Sequence, residues 1–309
     1  MRSQHASATR IRRTAETPEH LNTNSHIKLV ECPRDAMQGI HEFISTEKKV
    51  AYINQLLKVG FDTIDFGSFV SPKAIPQMSD TPAVLEQLDL TNTKSKLLAI
   101  IGNVRGAEEA CKFPQIHFLG FPFSISETFQ MRNVNSTITE SVSRVKEIKK
   151  LSDDNGKHLM IYISMGFGNP YADAWSAEIA ALWVEKLVAM DIKYISLADT
   201  IGIANPESII YLFSHLIPKF PEVEFGAHLH TTPDSWLEKI EAAYKSGCRR
   251  FDGAIKGFGG CPMASDDLTG NMPTENIIQY FNLLKAETGI NKKEFRESVR
   301  KALITFPAS

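Results

Sequence analysis

The sequence is poor in three features that would each point to a particular class of protein. Its four cysteines, Cys32, Cys111, Cys248 and Cys261, form no Cys-x-x-Cys pair, and no apolar run reaches the roughly 18 residues of a spanning helix. The 34 basic and 36 acidic residues leave a net charge of −2. These absences argue against a disulfide scaffold, a membrane protein and a nucleic-acid-binding protein. We expect a small-molecule ligand and a reducing, cytoplasmic compartment.

The first 26 residues also lack apolar periodicity and the hydrophobic stretch of a secretory signal peptide. We expect residues 1–26 to form a flexible tail. A mitochondrial transit peptide is the alternative, because the segment is rich in Arg and Ser, and it would place the protein in the matrix. Glu16 and Glu19 weaken that alternative, because transit peptides are poor in acidic residues.

What the chain does contain is a regular alternation of strand-like and helical segments over residues 27–309. Strand-like segments begin near Ile27, Phe61, Ser95, Gln115, His158, Ile192, Val223 and Arg250. Helical patterns lie at about 45–59, 83–88, 105–112, 139–152, 176–190, 206–217, 234–246 and 274–288. Eight such repeats predict a single (β/α)₈ TIM-barrel domain, with 291–306 as an extra C-terminal helix.

A doubly wound open sheet is the rival fold. It would normally carry a phosphate-binding Gly-x-Gly-x-x-Gly after its first strand. Here the first strand is followed by Cys32-Pro33-Arg34-Asp35-Ala36, which favours the barrel. In a barrel, the residues that end the strands line one face, and that face carries the chemistry.

The most informative local pattern is the pair His228-x-His230 at the end of the seventh strand. Residues i and i+2 of a strand point to the same side, so both imidazoles face one point. With oxygen ligands, of which Asp35 and Asn271 are the best placed, the pair predicts a site for Mg²⁺, Mn²⁺ or another first-row ion. The alternative is that one or both histidines are hydrogen-bonded core residues.

A glycine-rich segment follows the eighth strand, at Gly257-Phe258-Gly259-Gly260-Cys261-Pro262. Glycine permits positive φ and close approach of backbone to backbone, so the segment can present the Cys261 thiol on a bent loop. The alternative is a surface connection whose cysteine only packs. We interpret Cys32, Cys111 and Cys248 as packing residues, since nothing electropositive or glycine-rich adjoins the latter two.

Three acidic positions have structural alternatives. Asp35 could pair with Arg34 on the surface, which is the usual fate of adjacent opposite charges. Asp199, at the end of the sixth strand, could cap the next helix. Asp65, at the end of the second strand, could hold Arg34 or Lys73.

These motifs together resemble the 3-hydroxy-3-methylglutaryl-CoA lyase family, a branch of the metal-dependent TIM-barrel lyases and acyl-CoA condensing enzymes. The resemblance spans Ile27 to about Leu303. The matching motifs are Pro33-Arg34-Asp35 with Gln38, Ser68-Phe69-Val70-Ser71-Pro72-Lys73, Asp199-Thr200-Ile201-Gly202, His228-x-His230, and Gly259-Gly260-Cys261-Pro262 with Gly270-Asn271. The Gly-Gly-Cys-Pro loop separates the lyases from the condensing relatives.

The resemblance implies a retro-Claisen cleavage to acetyl-CoA and acetoacetate, with Mg²⁺ or Mn²⁺ and no organic cofactor beyond the coenzyme A of the substrate. It implies Asp35, His228, His230 and Asn271 as metal ligands. Arg34 would polarise the thioester carbonyl, Cys261 would protonate the enolate, and Asp199 or Asp65 would serve as catalytic carboxylates. Arg34, Gln38, Ser68, Lys73 and Asn103 are the predicted substrate-binding residues. We expect a homodimer.

The chain departs from the family pattern at several positions. Cys32 and Ala36 stand where glycines are common, Asp65 stands where the family has glutamate, and Thr231-Thr232 replaces an expected Asp-Thr. None of these removes a predicted ligand, but they bear on how the acyl group is held. The alternatives are therefore a related 3-hydroxyacyl-CoA lyase, a Claisen condensing synthase with the same metal site, or a non-catalytic metal-binding barrel.

Overall fold

A computed structural model of the protein describes residues 26–260 and 269–306, and the predicted tail falls outside this part of the chain except for His26. Eight parallel strands pair in sequence order, and β1 pairs with β8 to close the barrel. The strands are β1 Lys28–Glu31, β2 Thr63–Ser68, β3 Lys96–Ile100, β4 Ile116–Ser124, β5 His158–Ser164, β6 Tyr194–Ala198, β7 Glu224–His228 and β8 Arg250–Gly253. The predicted TIM barrel is confirmed.

Helices connect the strands over the described residues. They are α1 Pro33–Gln38, α2 Thr46–Leu56, α3 Thr81–Glu86, α4 Val104–Cys111, α5 Glu127–Val134, α6 Ile138–Asp154, α7 Ala177–Val188, α8 Pro206–Lys219, α9 Trp236–Lys245, α10 Thr274–Leu283 and α11 Lys292–Thr305. Of these, α1 and α5 are absent from the sequence prediction. None of the described helices is long and apolar enough to cross a membrane.

The two unpredicted helices have local causes. Pro33 occupies the first turn of α1, where its missing N–H and fixed φ are tolerated. The helix is only six residues long, and both of its charged residues, Arg34 and Asp35, are buried. The N-terminus of α5 is capped by the Ser126 side chain, and the helix ends at Asn135 in the left-handed conformation.

The predicted C-terminal helix is present as α11 and covers the outside of α2. The Gln55 side chain donates to the Glu294 carboxylate at 2.9 Å, and the rings of Tyr52 and Phe306 meet edge to face with centroids 5.4 Å apart. The helix therefore adds an outer layer over α2.

Glu31, at the end of β1, is fully buried. Its side chain bonds to residues on both sides of the glycine-rich segment that follows β8. Its carboxylate accepts hydrogen bonds from Ile255 N at 2.8 Å and from Thr274 Oγ1 at 2.6 Å. Burial raises the pKa of Glu31 to about 8, against the hydrogen bonds, which lower it. The folded protein therefore holds this carboxyl protonated at pH values where the unfolded chain ionises it.

The sign of the resulting pH dependence follows from the raised pKa. Between 4.5 and about 8 the native state binds a proton that the unfolded state has lost, so the contribution of Glu31 to stability falls as pH rises through this window. Gln mimics the protonated carboxyl, with an acceptor for Ile255 N and a donor for the Thr274 oxygen. As the pH rises from 4.5 to about 8, we expect the free energy of unfolding of Glu31→Gln to increase by about 2–4 kcal/mol relative to that of the wild type.

Urea unfolding of both proteins at several pH values measures this difference, because all other titrating groups are shared and cancel. A difference in unfolding free energy that does not change with pH would show that Glu31 is ionised in the folded protein.

Candidate active site

A cavity of about 390 Å³ opens at the carboxyl ends of the strands. Predicted site residues on its lining are Arg34, Asp35, Gln38, Ser68, Asn103, His228 and His230. In the fold, these predicted residues come together from α1 and from the carboxyl ends of β2, β3 and β7. This is the face of a TIM barrel on which active sites lie.

Asp35, His228 and His230 form the centre of the site. One ligand-capable atom from each residue lies within 4.8 Å of the other two, and Asp35 and His230 are buried. The His230 Nδ1 is buried and has no hydrogen-bond partner among the described residues. An unpaired buried nitrogen is costly unless it binds something, so this donor set fits a divalent cation.

The protonation states of Asp35 and His230 suit the same interpretation. Burial, with His228 beside it, lowers the pKa of His230 to about 4, so this imidazole is neutral at pH 7. Burial works against the charge of Asp35, but Arg34 and the histidines outweigh it and hold the pKa of Asp35 below its usual value. A neutral imidazole and an ionised carboxylate are the forms that ligate a metal. Burial works against the charge of His228, but the hydrogen bond and charge of Asp252 and the charge of Asp35 outweigh it and raise the pKa of His228, so this imidazole gives up a proton when it ligates an ion.

Asn271, the fourth predicted ligand, lies against Asp35. Its Nδ2 donates to Asp35 Oδ2 at 2.8 Å and to the Phe258 carbonyl at 2.9 Å. Gly259 lies between them with φ +96°, and a Cβ there would come within 2.7 Å of the Asp35 carbonyl. The described start of the glycine segment thus needs glycine both for its φ and for its close approach to α1. Asn271 as a ligand through its oxygen stays a prediction.

Arg34 forms a buried network with two carboxylates. Its Nε and Nη2 donate to Asp65 Oδ2 at 3.0 and 2.6 Å, and its Nη1 donates to Asp35 and Gln38. The adjacent charges therefore pair in the interior, not on the surface. These bonds use four of the five guanidinium N–H groups, so within the described part of the chain one N–H on Nη2 has no partner, and the side chain lines the cavity.

Asp65 is buried beneath this guanidinium. Burial raises the pKa of Asp65 to about 6, although Arg34 opposes the shift. Its Oδ1 has no hydrogen-bond partner among the described residues. Asp65 therefore pairs with Arg34, which is the structural alternative predicted from the sequence. Its Oδ1 lies beside the site without a partner among the described residues.

Asp199 is held by Lys239, away from the cavity lining. Its Oδ2 accepts from Lys239 Nζ at 2.7 Å and its Oδ1 accepts from Ala204 N at 2.9 Å. Lys239 also donates to the carbonyls of Gly202 and His230, so the ion pair fixes the loop after β6 to the second histidine. Asp199 does not line the cavity, and a catalytic role for it stays a prediction.

The remaining predicted residues fall into three groups. Ser68 Oγ donates to the Ile100 carbonyl at 3.2 Å, and Asn103 caps α4 through Gly106 N at 2.9 Å, and both line the cavity. Lys73 is exposed and is not on the lining. Cys261 lies outside the described residues.

Asp252, in β8, is a site residue that the sequence analysis missed. Its Oδ2 lies 3.2 Å from His228 Nδ1, and it is 2% exposed. A carboxylate on the far nitrogen fixes the tautomer of a ligating histidine and leaves Nε2 free for the cavity. The i, i+2 alternation of Arg250-Phe251-Asp252 places Asp252 inside the barrel and could have found it.

We expect Asp252→Asn to weaken divalent-metal affinity by about 10–100-fold, because the amide can donate to Nδ1 and favour the wrong tautomer. Titration of Mn²⁺, with the free ion followed by electron paramagnetic resonance, measures the affinity. Asp153→Asn, on the exposed end of α6, is the matched control. Unchanged affinity in Asp252→Asn would mean that another group orients His228.

Fold and site define a TIM-barrel enzyme with a candidate divalent-metal centre at the carboxyl ends of its strands. The HMGL-like family model matches residues 27–301, and the chain belongs to this family.

The chain is similar to named members of the family over most of its length. It is 31% identical to the hydroxymethylglutaryl-CoA lyase of Bacillus subtilis, over 87% of this chain and 89% of that protein. It is 29% identical to human cytoplasmic 3-hydroxy-3-methylglutaryl-CoA lyase, over 92% and 76%. Among solved structures, an HMG-CoA lyase from Acinetobacter baumannii in complex with coenzyme A and 3-methylmalate superposes with a TM-score of 0.84, at 31% identity and with 91% of both chains covered.

Proposed function

We propose that this protein cleaves 3-hydroxy-3-methylglutaryl-CoA to acetyl-CoA and acetoacetate. The observation that carries the proposal is the match to named lyases across most of the chain, with a carboxylate and two histidines converging on one cavity. The complex of the Acinetobacter lyase with coenzyme A supports an acyl-CoA as the substrate.

Asp35, His228 and His230 would hold a divalent ion, Mg²⁺ or Mn²⁺, with Asn271 as a further oxygen ligand. Such an ion supplies Lewis-acid polarisation of the substrate hydroxyl and fixes its orientation. The oxygen-rich and imidazole donor set of these residues suits hard first-row and alkaline-earth cations.

Arg34 orients and stabilises the thioester. Its remaining Nη2 N–H would donate a charge-assisted hydrogen bond to the thioester carbonyl oxygen of the substrate. Negative charge develops on this oxygen as the carbon–carbon bond breaks. Asp65 and Asp35 hold the guanidinium plane in place, so little reorganisation accompanies the reaction.

Proton transfer needs a base for the hydroxyl and an acid for the enolate. Asp65 is the proposed base, because its Oδ1 has no partner among the described residues and burial raises its pKa to about 6. Its Oδ2 is paired with Arg34, and the carboxylate lies beneath the cavity lining, so the proton would reach it past the guanidinium. Asp199 is less suited while Lys239 holds it. Cys261 is the proposed acid, on the glycine segment that begins against α1.

Two further features of the proposal are its assembly and its compartment. We propose a homodimer, the commonest closed assembly of soluble enzymes. We propose a cytoplasmic location, as in the name of the human relative, with a mitochondrial location, as in the name of the bovine relative, as the alternative if residues 1–26 act as a transit peptide.

A coupled assay for acetyl-CoA and acetoacetate, with and without EDTA and with Mg²⁺ or Mn²⁺ restored, tests the proposal. We expect both products in equal amounts and loss of activity on chelation. Thiol release from acetyl-CoA and 2-oxo acids would instead indicate a condensing synthase. Metal-induced thermal stabilisation without cleavage of any acyl-CoA would indicate a non-catalytic barrel.

A further inference from the structure

A second cluster of ligand-type side chains lies directly behind the proposed metal centre. It consists of Cys32, His228 and Asp252, whose Sγ, ring nitrogen and carboxylate oxygen all lie within 4.8 Å of one another. Cys32 follows β1 and Asp252 lies in β8, so the closing pair of the barrel brings them together. We name these three residues the thiol cluster.

The thiol cluster is buried and rigidly placed. Cys32 is 1% exposed, and its backbone N–H donates to the Gly253 carbonyl at 2.9 Å, which fixes it against β8. Asp252 Oδ1 is buried and has no hydrogen-bond partner among the described residues. The buried Arg250 guanidinium acts on the charge of Asp252, but no hydrogen bond joins the two among the described residues, so an ion that ligates the carboxylate would supply the missing partner.

The two clusters share His228 but differ in chemistry. Asp35 and His230 bring one oxygen and one nitrogen donor, whereas Cys32 adds a sulfur donor. Thiolate sulfur selects thiophilic ions such as Zn²⁺ and Cd²⁺ and is a poor partner for Mg²⁺ and Mn²⁺. The thiol cluster therefore differs from the proposed catalytic centre in the class of ion that it suits.

We propose that Cys32, His228 Nδ1 and Asp252 form a second metal site that takes a thiophilic divalent ion. On binding, a metal–sulfur bond forms, the S–H bond breaks, and its proton passes to solvent. The imidazole proton moves from Nδ1 to Nε2, so His228 can no longer ligate an ion in the cavity. The two sites are mutually exclusive, and a thiophilic ion at the thiol cluster displaces the ion at the proposed catalytic centre. Only this exclusivity rests on the proposed function.

Cd²⁺ alone is the probe for the site itself, because its bond to a thiolate gives a charge-transfer absorption in the ultraviolet. The experiment uses the full chain carrying Cys261→Ser, which removes the thiol outside the described residues. We expect the absorption on adding Cd²⁺ to this protein and its loss when Cys32→Ser is added. Cys248→Ser, at the other buried thiol near β8, is the matched control and should keep the absorption.

A second variant guards against misfolding of the first. Asp252→Asn leaves all the remaining thiols in place, and we expect it to weaken Cd²⁺ binding as judged by the same absorption. The proposal is overturned if the absorption persists without Cys32, or if it disappears with Cys248 instead.

Displacement of Mn²⁺ tests the exclusivity separately. With the free ion followed by electron paramagnetic resonance, we expect Cd²⁺ to release Mn²⁺ at lower concentration from the Cys261→Ser protein than from the variant that also carries Cys32→Ser. Equal concentrations would overturn the exclusivity. Absence of Mn²⁺ binding in both proteins would count against the proposed catalytic centre, while the Cd²⁺ absorption would still report on the thiol cluster.

Discussion

Replacing Arg34 with lysine is expected to lower kcat for cleavage by about 10²–10³-fold, the usual effect of removing one preorganised donor to a developing oxyanion. Lysine keeps the positive charge between Asp35 and Asp65 but offers a single flexible ammonium. It cannot donate twice to Asp65 Oδ2, bond Asp35 and Gln38, and still direct an N–H into the cavity.

Steady-state kinetics with 3-hydroxy-3-methylglutaryl-CoA measure the effect, and thermal unfolding of the same protein separates it from loss of structure. Arg105→Lys, on the exposed side of α4, is the matched control and should keep wild-type kcat. If Arg34→Lys raised only KM, the guanidinium would bind ground state and transition state equally and would not stabilise the enolate.

The barrel could be predicted because short stretches of sequence are enough to identify each of its strands. Each strand is a short apolar segment bounded by turn residues, and all eight predicted segments begin within two residues of the observed strands. The errors fall on α1 and α5, which begin within three residues of the ends of β1 and β4, where the sequence predicts no helix. One of them shapes the cavity, because Arg132 in α5 lines it and its guanidinium lies over the Tyr171 ring, 4.8 Å from the ring centroid.

The site could be predicted only where short-range geometry sets it. The histidine pair follows from the alternation of a strand, and the resemblance adds Asp35 and Arg34. The roles of Asp65 and Asp199 depend on partners that are distant in sequence. Asp199 meets Lys239, 40 residues further on, and this contact decides that the carboxylate is held by an ammonium. No period or spacing in the sequence indicates such a contact.

Cys32 is a second residue whose neighbours in space could not be predicted from the sequence. Its sequence neighbours indicate only a packed thiol, and the meaning of its position depends on the register of β1 against β8. Val30 pairs with Asp252 in that register, which brings the next inward-facing residue, Cys32, to the carboxylate and to His228. A residue that departs from the family pattern thus acquires a specific neighbourhood only when the barrel closes.

His230→Ala is expected to have the largest effect, a loss of about 10³-fold or more in kcat with Mn²⁺ or Mg²⁺ present, because metal polarisation contributes several kcal/mol to such reactions. The reason is the environment of this imidazole. It is buried, its Nδ1 has no partner among the described residues, and burial lowers its pKa to about 4, so it is a neutral imidazole with a nitrogen available to an ion. The loss should be accompanied by weaker Mn²⁺ binding.

The control is His215→Ala, which removes an exposed histidine stacked on Tyr211 in α8 and should leave cleavage and Mn²⁺ binding unchanged. Two outcomes of the His230→Ala experiment lead to different conclusions. Lost Mn²⁺ binding together with lost cleavage supports the metal centre. Wild-type Mn²⁺ binding with lost cleavage would move His230 from ligand to a role in proton transfer, because the carbonyl that Lys239 anchors is retained in the variant and the loop would stay in place.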